Sequence, residues 1–174
     1  MLNFISYMIS DPGYSVKEIC DALKKHSPDF FCYRNKEYYD EEEIIYLLNF
    51  AKKHSKFTFI NYTSLKNPKL LEKTDGIHLP SSKLDLIKTY RNKLIIASTH
   101  NTDEIKKASK ADYITFSPVF DSKNRKGVGI DKLNEICSLH PKVIALGGIK
   151  TKKEIQSVKV SKSAGFAAIR YFFT

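Results

Sequence analysis

No stretch of this chain approaches the roughly 20 consecutive apolar residues of a membrane-spanning helix, so no span can be placed on it. Cysteine is scarce. Cys20, Cys32 and Cys137 are odd in number and lack metal-ligand spacing, which argues against a disulfide framework or a cysteine metal site and favours reduced thiols in a cytoplasm. The first residues, MLNFISYMISD, carry no basic leader and run directly into strand pattern, unlike a signal peptide. Linkers, low-complexity tracts and charge blocks are also missing, so residues 1–174 read as one domain. No helix-turn-helix, RNA-binding strand signature or zinc finger is legible.

What the chain does have is ordinary globular composition, with 42% hydrophobic and 28% charged residues, and a rhythm. Eight β-branched or aromatic runs, FISYMIS, FFCYRN, KFTFINY, GIHLPS, LIIASTH, YITFSPVF, KVIALGGI and FAAIRYFF, are each separated by polar, helix-prone segments. Strands alternating with helical patterns predict a parallel sheet of βαβ units, and eight units predict an α/β protein with a closed (β/α)8 barrel, or TIM barrel. The runner-up is an open doubly wound sheet. Divided among eight units, 174 residues leave roughly 22 each, against roughly 250 for a typical whole barrel, so the helices must be short. Only Thr174 follows the eighth run as far as Phe173, which predicts that the helix over the last strand is missing. An apolar strip beside the first and eighth strands would then be covered by a symmetric partner, making a homo-oligomer, or by neighbouring helices leaning across.

The segments between the runs support this reading. EEEIIYLLNFAKKH has acids in its first turn and bases in its last, complementing the helix dipole, with Ile44, Leu47, Leu48 and Ala51 as a core stripe. Asn101 or Thr102 caps a helix that begins directly after His100. Net charge is +10, from 29 basic and 19 acidic side chains. The lysines are scattered over successive helix faces without interleaved aromatics, which points away from nucleic acid and remains compatible with an anionic small molecule.

In a (β/α)8 barrel the chemistry sits at the C-terminal ends of the strands. Those ends carry Asp11, Arg34, Lys36, Asn61, Ser81, His100, Ser117, Gly147, Gly148 and Arg170. Gly147-Gly148 precede a helix start at Thr151, so bare N–H groups can cradle a phosphate, or the pair can simply make a tight turn. Arg34 and Lys36 alternate about Asn35, so on a strand both share a face, where they meet a ligand anion or form an interior ion pair with Asp11 or Glu37. Arg170 either holds phosphate as a bidentate donor or fills its place, particularly if it pairs with Asp11. Lys126-Gly127 sits in a lid or an ordinary solvent loop, and Cys32 reads as a small core or pocket-wall residue. His78 is expected to pack toward the core or helix layer, whereas His26, His54 and His140 end helices, where a cation favours the dipole.

The phrases DGIHLPSS, ASTH, ADYITFSPVF, KVIALGGI and SAGFAAIRYFF, in this order, resemble the thiamin phosphate synthase/TenI superfamily. The resemblance covers essentially the whole chain and implies a (β/α)8 barrel acting on thiazole and pyrimidine phosphates in thiamin biosynthesis. Its synthase branch joins a pyrimidine pyrophosphate to a thiazole phosphate and requires magnesium, held by an Asn-Asp pair after the third strand and an acid after the fourth. Here those positions read Asn61-Tyr62 and Ser81-Ser82-Lys83. A lysine cannot coordinate magnesium, which takes hard oxygen ligands.

The branch's glutamine before Arg-x-Lys is Cys32, although Arg34 and Lys36 remain, and its Thr-x-Thr-Lys loop corresponds to Ser122, Asn124 and Arg125. The eighth strand has Arg170-Tyr171 where the family has a small, serine-containing phrase. The TenI-like branch shares the LPS phrase and the missing acids. It implies a metal-independent thiazole tautomerase, with no cofactor, that moves a proton on a carboxylated thiazole phosphate. Its catalytic histidine lies in a Ser-x-His motif, which here is Ser98-Thr99-His100. Histidine suits general acid/base work, as its ordinary pKa lies near 6.5. The resemblance thus implies His100 as acid/base and Ser98 as its orienting partner. It also implies a ligand held by Arg34, Lys36, Asn61, Ser122, Gly147 and Gly148, to which Arg170, where this chain departs from the family, adds a candidate phosphate contact. A divergent synthase using magnesium and a noncatalytic phosphate-ligand binder are the alternatives.

Overall fold

The computed structural model describes residues 4–122 and 125–174, so Asn124 lies outside the described residues. The eight apolar runs form parallel strands β1 (Ile5–Ile9), β2 (Phe30–Tyr33), β3 (Phe57–Asn61), β4 (Gly76–Leu79), β5 (Leu94–Thr99), β6 (Tyr113–Phe116), β7 (Val143–Leu146) and β8 (Gly165–Ala168). They pair in sequential order, and the ladder from Ile5↔Gly165 to Met8↔Ala168 joins β1 to β8. This closed barrel has no sheet edge, which rules out the open doubly wound alternative.

Strand alternation divides the apolar side chains between two cores. Tyr7, Cys32, Phe59, Ile96, Ile144 and Ala167 point into the barrel. Met8, Phe31, Ile60, Ala97, Ile114 and Ala145 point outward to the surrounding layer. That layer contains α1 (Val16–His26), α2 (Glu41–Ala51), α3 (Thr102–Lys107), α4 (Gly129–Cys137) and α5 (Lys152–Lys159). Ser15 and Glu18 form a capping box on α1, Asp40 caps α2, Asn101 caps α3, and Thr151 with Glu154 caps α5, satisfying N–H groups that have no intrahelical acceptor. After β3 and β4 the short connections form 3-10 segments, Tyr62–Ser64, Pro68–Lys73 and Ser81–Lys88, instead of the expected α-helices.

At the opposite end from the candidate site, an aspartate precedes each of β2, β4 and β6. Asp29 accepts from Ser6 N, Asp75 from Thr58 N and Asp112 from Ile95 N, at 2.9, 2.7 and 2.8 Å. Each carboxylate thus satisfies a backbone donor on the preceding strand, a repeat that hydrophobic periodicity does not reveal.

Two strand ends differ from expectation. β2 stops at Tyr33, because Arg34 N donates to Ser10 Oγ and Asn35 N to Ser64 Oγ, taking these donors out of the ladder. β8 stops at Ala168, and residues 170–173 of the eighth run form a 3-10 turn, Arg170–Phe173. This turn folds against α1. Phe172 is buried, His26 lies edge-on to its ring, and Phe173 stacks on Tyr14 with ring centroids 3.6 Å apart. The chain's own aromatics therefore occupy the strip between β1 and β8.

The helix-end histidines also require correction. Burial pushes the pKa values of His26 and His140 down, so they favour neutrality instead of supplying dipole-stabilising cations. Among the described residues no helix is long and apolar enough to cross a membrane.

Candidate functional site

A cavity of about 580 Å³ opens at the C-terminal ends of the strands, where β6, β7, β8 and β1 meet. Its wall includes Ser117, Ser122, Arg125, Gly147, Gly148 and Arg170, with Asp11 and Tyr14 completing the β1 side. The loops after β6 and β7 are stitched together by Val119 N donating to Leu146 O and Phe120 N to Gly147 O, at 2.9 and 3.1 Å. Gly147 and Gly148 adopt φ of 93° and 73°. A Cβ on Gly147 would lie 2.7 Å from Pro118 Cα, and one on Gly148 would lie 2.5 Å from Phe120 O. The pair is therefore required by the turn itself, and it also lines the cavity.

Asp11 Oδ2 meets Arg34 Nη1 at 3.2 Å. Arg170, which begins the last 3-10 turn, stands exposed at the cavity wall without an ion pair among the described residues. The arrangement in which Arg170 pairs with Asp11 is thus not adopted, because Arg34 occupies that carboxylate. With Arg125 also on the wall, the cavity is suited to an anionic ligand.

Of the sequence-derived site residues, Asp11, Ser117, Ser122, Arg125, Gly147, Gly148 and Arg170 line this cavity, whereas Arg34, Lys36, Asn61, Ser98 and His100 are not among its lining residues. Arg34 touches its edge only through Asp11. Lys36 is exposed and lies beyond β2, so strand alternation does not give it a common face with Arg34. Asn61 is buried, and its Oδ1 accepts from Thr63 N and Thr63 Oγ1 at 3.1 and 2.8 Å, capping the turn after β3. Burial pushes the Cys32 thiol up to about 12, so it is not an activated nucleophile. In the loop after β6, Gly127 N donates to Asp121 Oδ1 at 2.7 Å.

His100 is exposed beyond β5, with its backbone N–H donating to Glu104 Oε2 at 2.7 Å. Its Nδ1 lies 2.9 Å from the Ser117 carbonyl oxygen and 3.1 Å from Ser117 Oγ. A carbonyl only accepts, so Nδ1 carries a hydrogen, and in the neutral tautomer with that hydrogen Nε2 has the lone pair. His100 thus adjoins the cavity through Ser117 without lining it. Ser98 does not orient it: Ser98 Oγ lies 2.9 Å from Nε2 of His78, whose Nδ1 lies 2.7 Å from Tyr7 Oη. His78 sits inside the barrel, and burial, reinforced by the Arg34 charge, pushes its pKa down to about 3. Strand alternation directs His78 toward the core or helix layer but does not reveal this chain, since alternation identifies a face and not a partner.

Lys83 Nζ stands 5.9 Å from the centre of the Tyr62 ring, a cation–π contact. Among the described residues no cluster of three His, Cys, Asp or Glu side chains could hold a metal ion.

A family model described as thiamine monophosphate synthase matches residues 4–172. Thiamine phosphate pyrophosphorylase from Pyrococcus furiosus is similar in structure, with TM-score 0.78 and 21% identity over 97% of this chain and 86% of that chain. A mutant tryptophan synthase alpha-subunit from the same organism gives TM-score 0.76 and 8% identity over 98% and 88%. The 2-keto-3-deoxy-6-phospho-gluconate aldolase from Zymomonas mobilis gives 0.64 and 14% over 96% and 83%. At these identities the structural likenesses show the fold alone. Comparison with curated protein sequences finds no significant match.

Proposed function

Because the chain belongs to the thiamine monophosphate synthase/TenI family, whose membership supports a role connected with thiamin biosynthesis, we propose that it is a metal-independent thiazole tautomerase. The observation that carries this reading is the Tyr62–Lys83 pair. The resemblance puts magnesium carboxylates at these positions in the synthases, but here a phenol ring faces an ammonium group. Neither side chain fits a hard divalent cation, which takes oxygen ligands and is repelled by the lysine. A proton shift within one conjugated ligand requires neither metal nor redox partner. It requires a base that takes a proton at one atom and returns it at another. His100 supplies Nε2 for that role, with Nδ1–H fixed by the Ser117 carbonyl. The phosphate lies against the Gly147-Gly148 turn and Ser122, with Arg170 and Arg125 balancing its charge. Arg34 and Lys36 attract the carboxylate end, and Asn61 shapes the β3 side of the barrel mouth.

One observation favours a second reading, a phosphate-ligand binder without turnover: His100 is not part of the cavity lining. The test is NMR of the carboxylated thiazole phosphate without added metal, using wild type and His100→Asn. Isomerisation by the wild type, reduced at least roughly 100-fold in the variant while binding persists, is the expected result. Binding with no wild-type turnover gives the second reading. Release of pyrophosphate when magnesium and a pyrimidine pyrophosphate are supplied overturns both in favour of a synthase.

A further inference from the structure

The barrel interior is lined with apolar side chains such as Phe30, Phe59, Ile96 and Ile144, yet a polar chain runs through it. Tyr7 and His78 are 0% and 2% exposed. Tyr7 Oη meets His78 Nδ1 at 2.7 Å, and His78 Nε2 meets Ser98 Oγ at 2.9 Å. Removing such groups from water is unfavourable unless each is paired, and a leucine at position 78 would fill the interior without that requirement.

The chain has a direction. Burial keeps His78 neutral down to about pH 3, so its ring has one N–H and one bare nitrogen. Burial also raises the Tyr7 pKa well above its ordinary value, so the phenol retains a hydrogen to donate. The acceptors beside it are the imidazole and the Cys32 sulfur, and a thiol is the weaker acceptor. Tyr7 O–H therefore donates to Nδ1, the ring hydrogen rests on Nε2, and Nε2–H donates to Ser98 Oγ. Ser98, half-buried near the end of β5, retains its own O–H for another acceptor. Its cross-strand neighbour Thr115 has a buried Oγ1 with no hydrogen-bond partner among the described residues, so this level of the barrel is polar.

We propose that His78 is a positioning residue that, held by Tyr7 in the Nε2–H tautomer, turns the Ser98 hydroxyl into a hydrogen-bond donor toward a heteroatom of the bound thiazole. The substrate assignment rests on the proposed tautomerase reading, whereas the tautomer and its direction do not.

Two measurements test it. The first is imidazole ¹⁵N NMR of the folded protein from pH 8 to 5. The expected signature is a neutral ring with hydrogen on Nε2 throughout, becoming a mixture of tautomers in Tyr7→Phe. Hydrogen on Nδ1, or a cationic ring at pH 5, overturns the proposal. The second compares His78→Leu, His78→Gln and Ser98→Ala, each checked by thermal unfolding and by calorimetric binding of the carboxylated thiazole phosphate. Glutamine can accept from Tyr7 and donate to Ser98, so it should recover most of what leucine loses. His78→Leu and Ser98→Ala should each reduce kcat or affinity roughly 10- to 100-fold, without adding in the double variant. A folded His78→Leu protein that binds and turns over like wild type overturns the inference. If wild type binds the ligand without turnover, only the tautomerase reading fails, and the NMR and binding series still decide the role of His78.

Discussion

Gly147 and Gly148 show how one turn answers two demands at the residue scale. Their φ values of 93° and 73° lie where other residues are strained, and the space a Cβ would occupy is filled by Pro118 and Phe120. Gly148→Ala should destabilise the fold by at least roughly 1–3 kcal/mol from backbone strain, lowering Tm by roughly 2–4 °C per kcal/mol for a chain of this size. Inorganic phosphate affinity should fall in the same variant. Unchanged Tm would show that the turn relaxes readily, and unchanged phosphate binding would detach the glycines from the anion site. Leu139→Ala, at an exposed position remote from the cavity, serves as the control for both readouts. The glycine pair was legible because two adjacent glycines after an apolar strand leave few conformational alternatives. The Asp11–Arg34 pair was legible only as one alternative for Arg34, and the His78–Ser98 pair not at all, because partners separated by 23 and 20 residues meet only once the barrel closes.

At the scale of elements, the strands were legible because each is a short apolar run, whereas their ends were set by side chains outside the ladder. Ser10 and Ser64 draw Arg34 and Asn35 away from β2, and aromatic packing turns the eighth run into a 3-10 segment. The missing α-helix after β3 has a similar cause: Asn61 and Asn67 cap tight local turns, with Pro68 starting one of them. The last turn links stability to the site. Phe172 is 2% exposed within the outer core, so Phe172→Ala should lower stability by roughly 3–5 kcal/mol in denaturant unfolding. Phe173 instead stacks on Tyr14, a cavity-lining residue. Phe173→Ala should remove roughly 0.5–1.5 kcal/mol of ring–ring interaction and weaken binding of the carboxylated thiazole phosphate several-fold. Calorimetry that finds the same affinity for wild type and Phe173→Ala would refute the coupling of tail and cavity.

For the whole molecule, protonation connects these parts in a common pH dependence. Burial lowers the pKa of His78 to about 3 and shifts His26 and His140 in the same direction. Above the ordinary histidine pKa of about 6.5, folded and unfolded chains both keep these rings neutral. As pH falls below it, the unfolded chain binds protons that the fold refuses, so stability decreases toward acid. For His78 the loss continues to about pH 3, with a limiting slope of roughly 1.4 kcal/mol per pH unit. Folded-state pKa values of Glu18, Glu41 and Glu154 are lowered by their capping and side-chain hydrogen bonds, so those contributions are lost mainly below the ordinary carboxylate range. The interval from pH 6.5 to 5 therefore isolates the histidines. Denaturant titrations of wild type and His78→Gln across that interval should give a shallower decline for the variant, approaching one proton's slope in the difference near pH 5. Parallel curves would mean that His78 takes up its proton inside the fold, contradicting a neutral ring held between Tyr7 and Ser98.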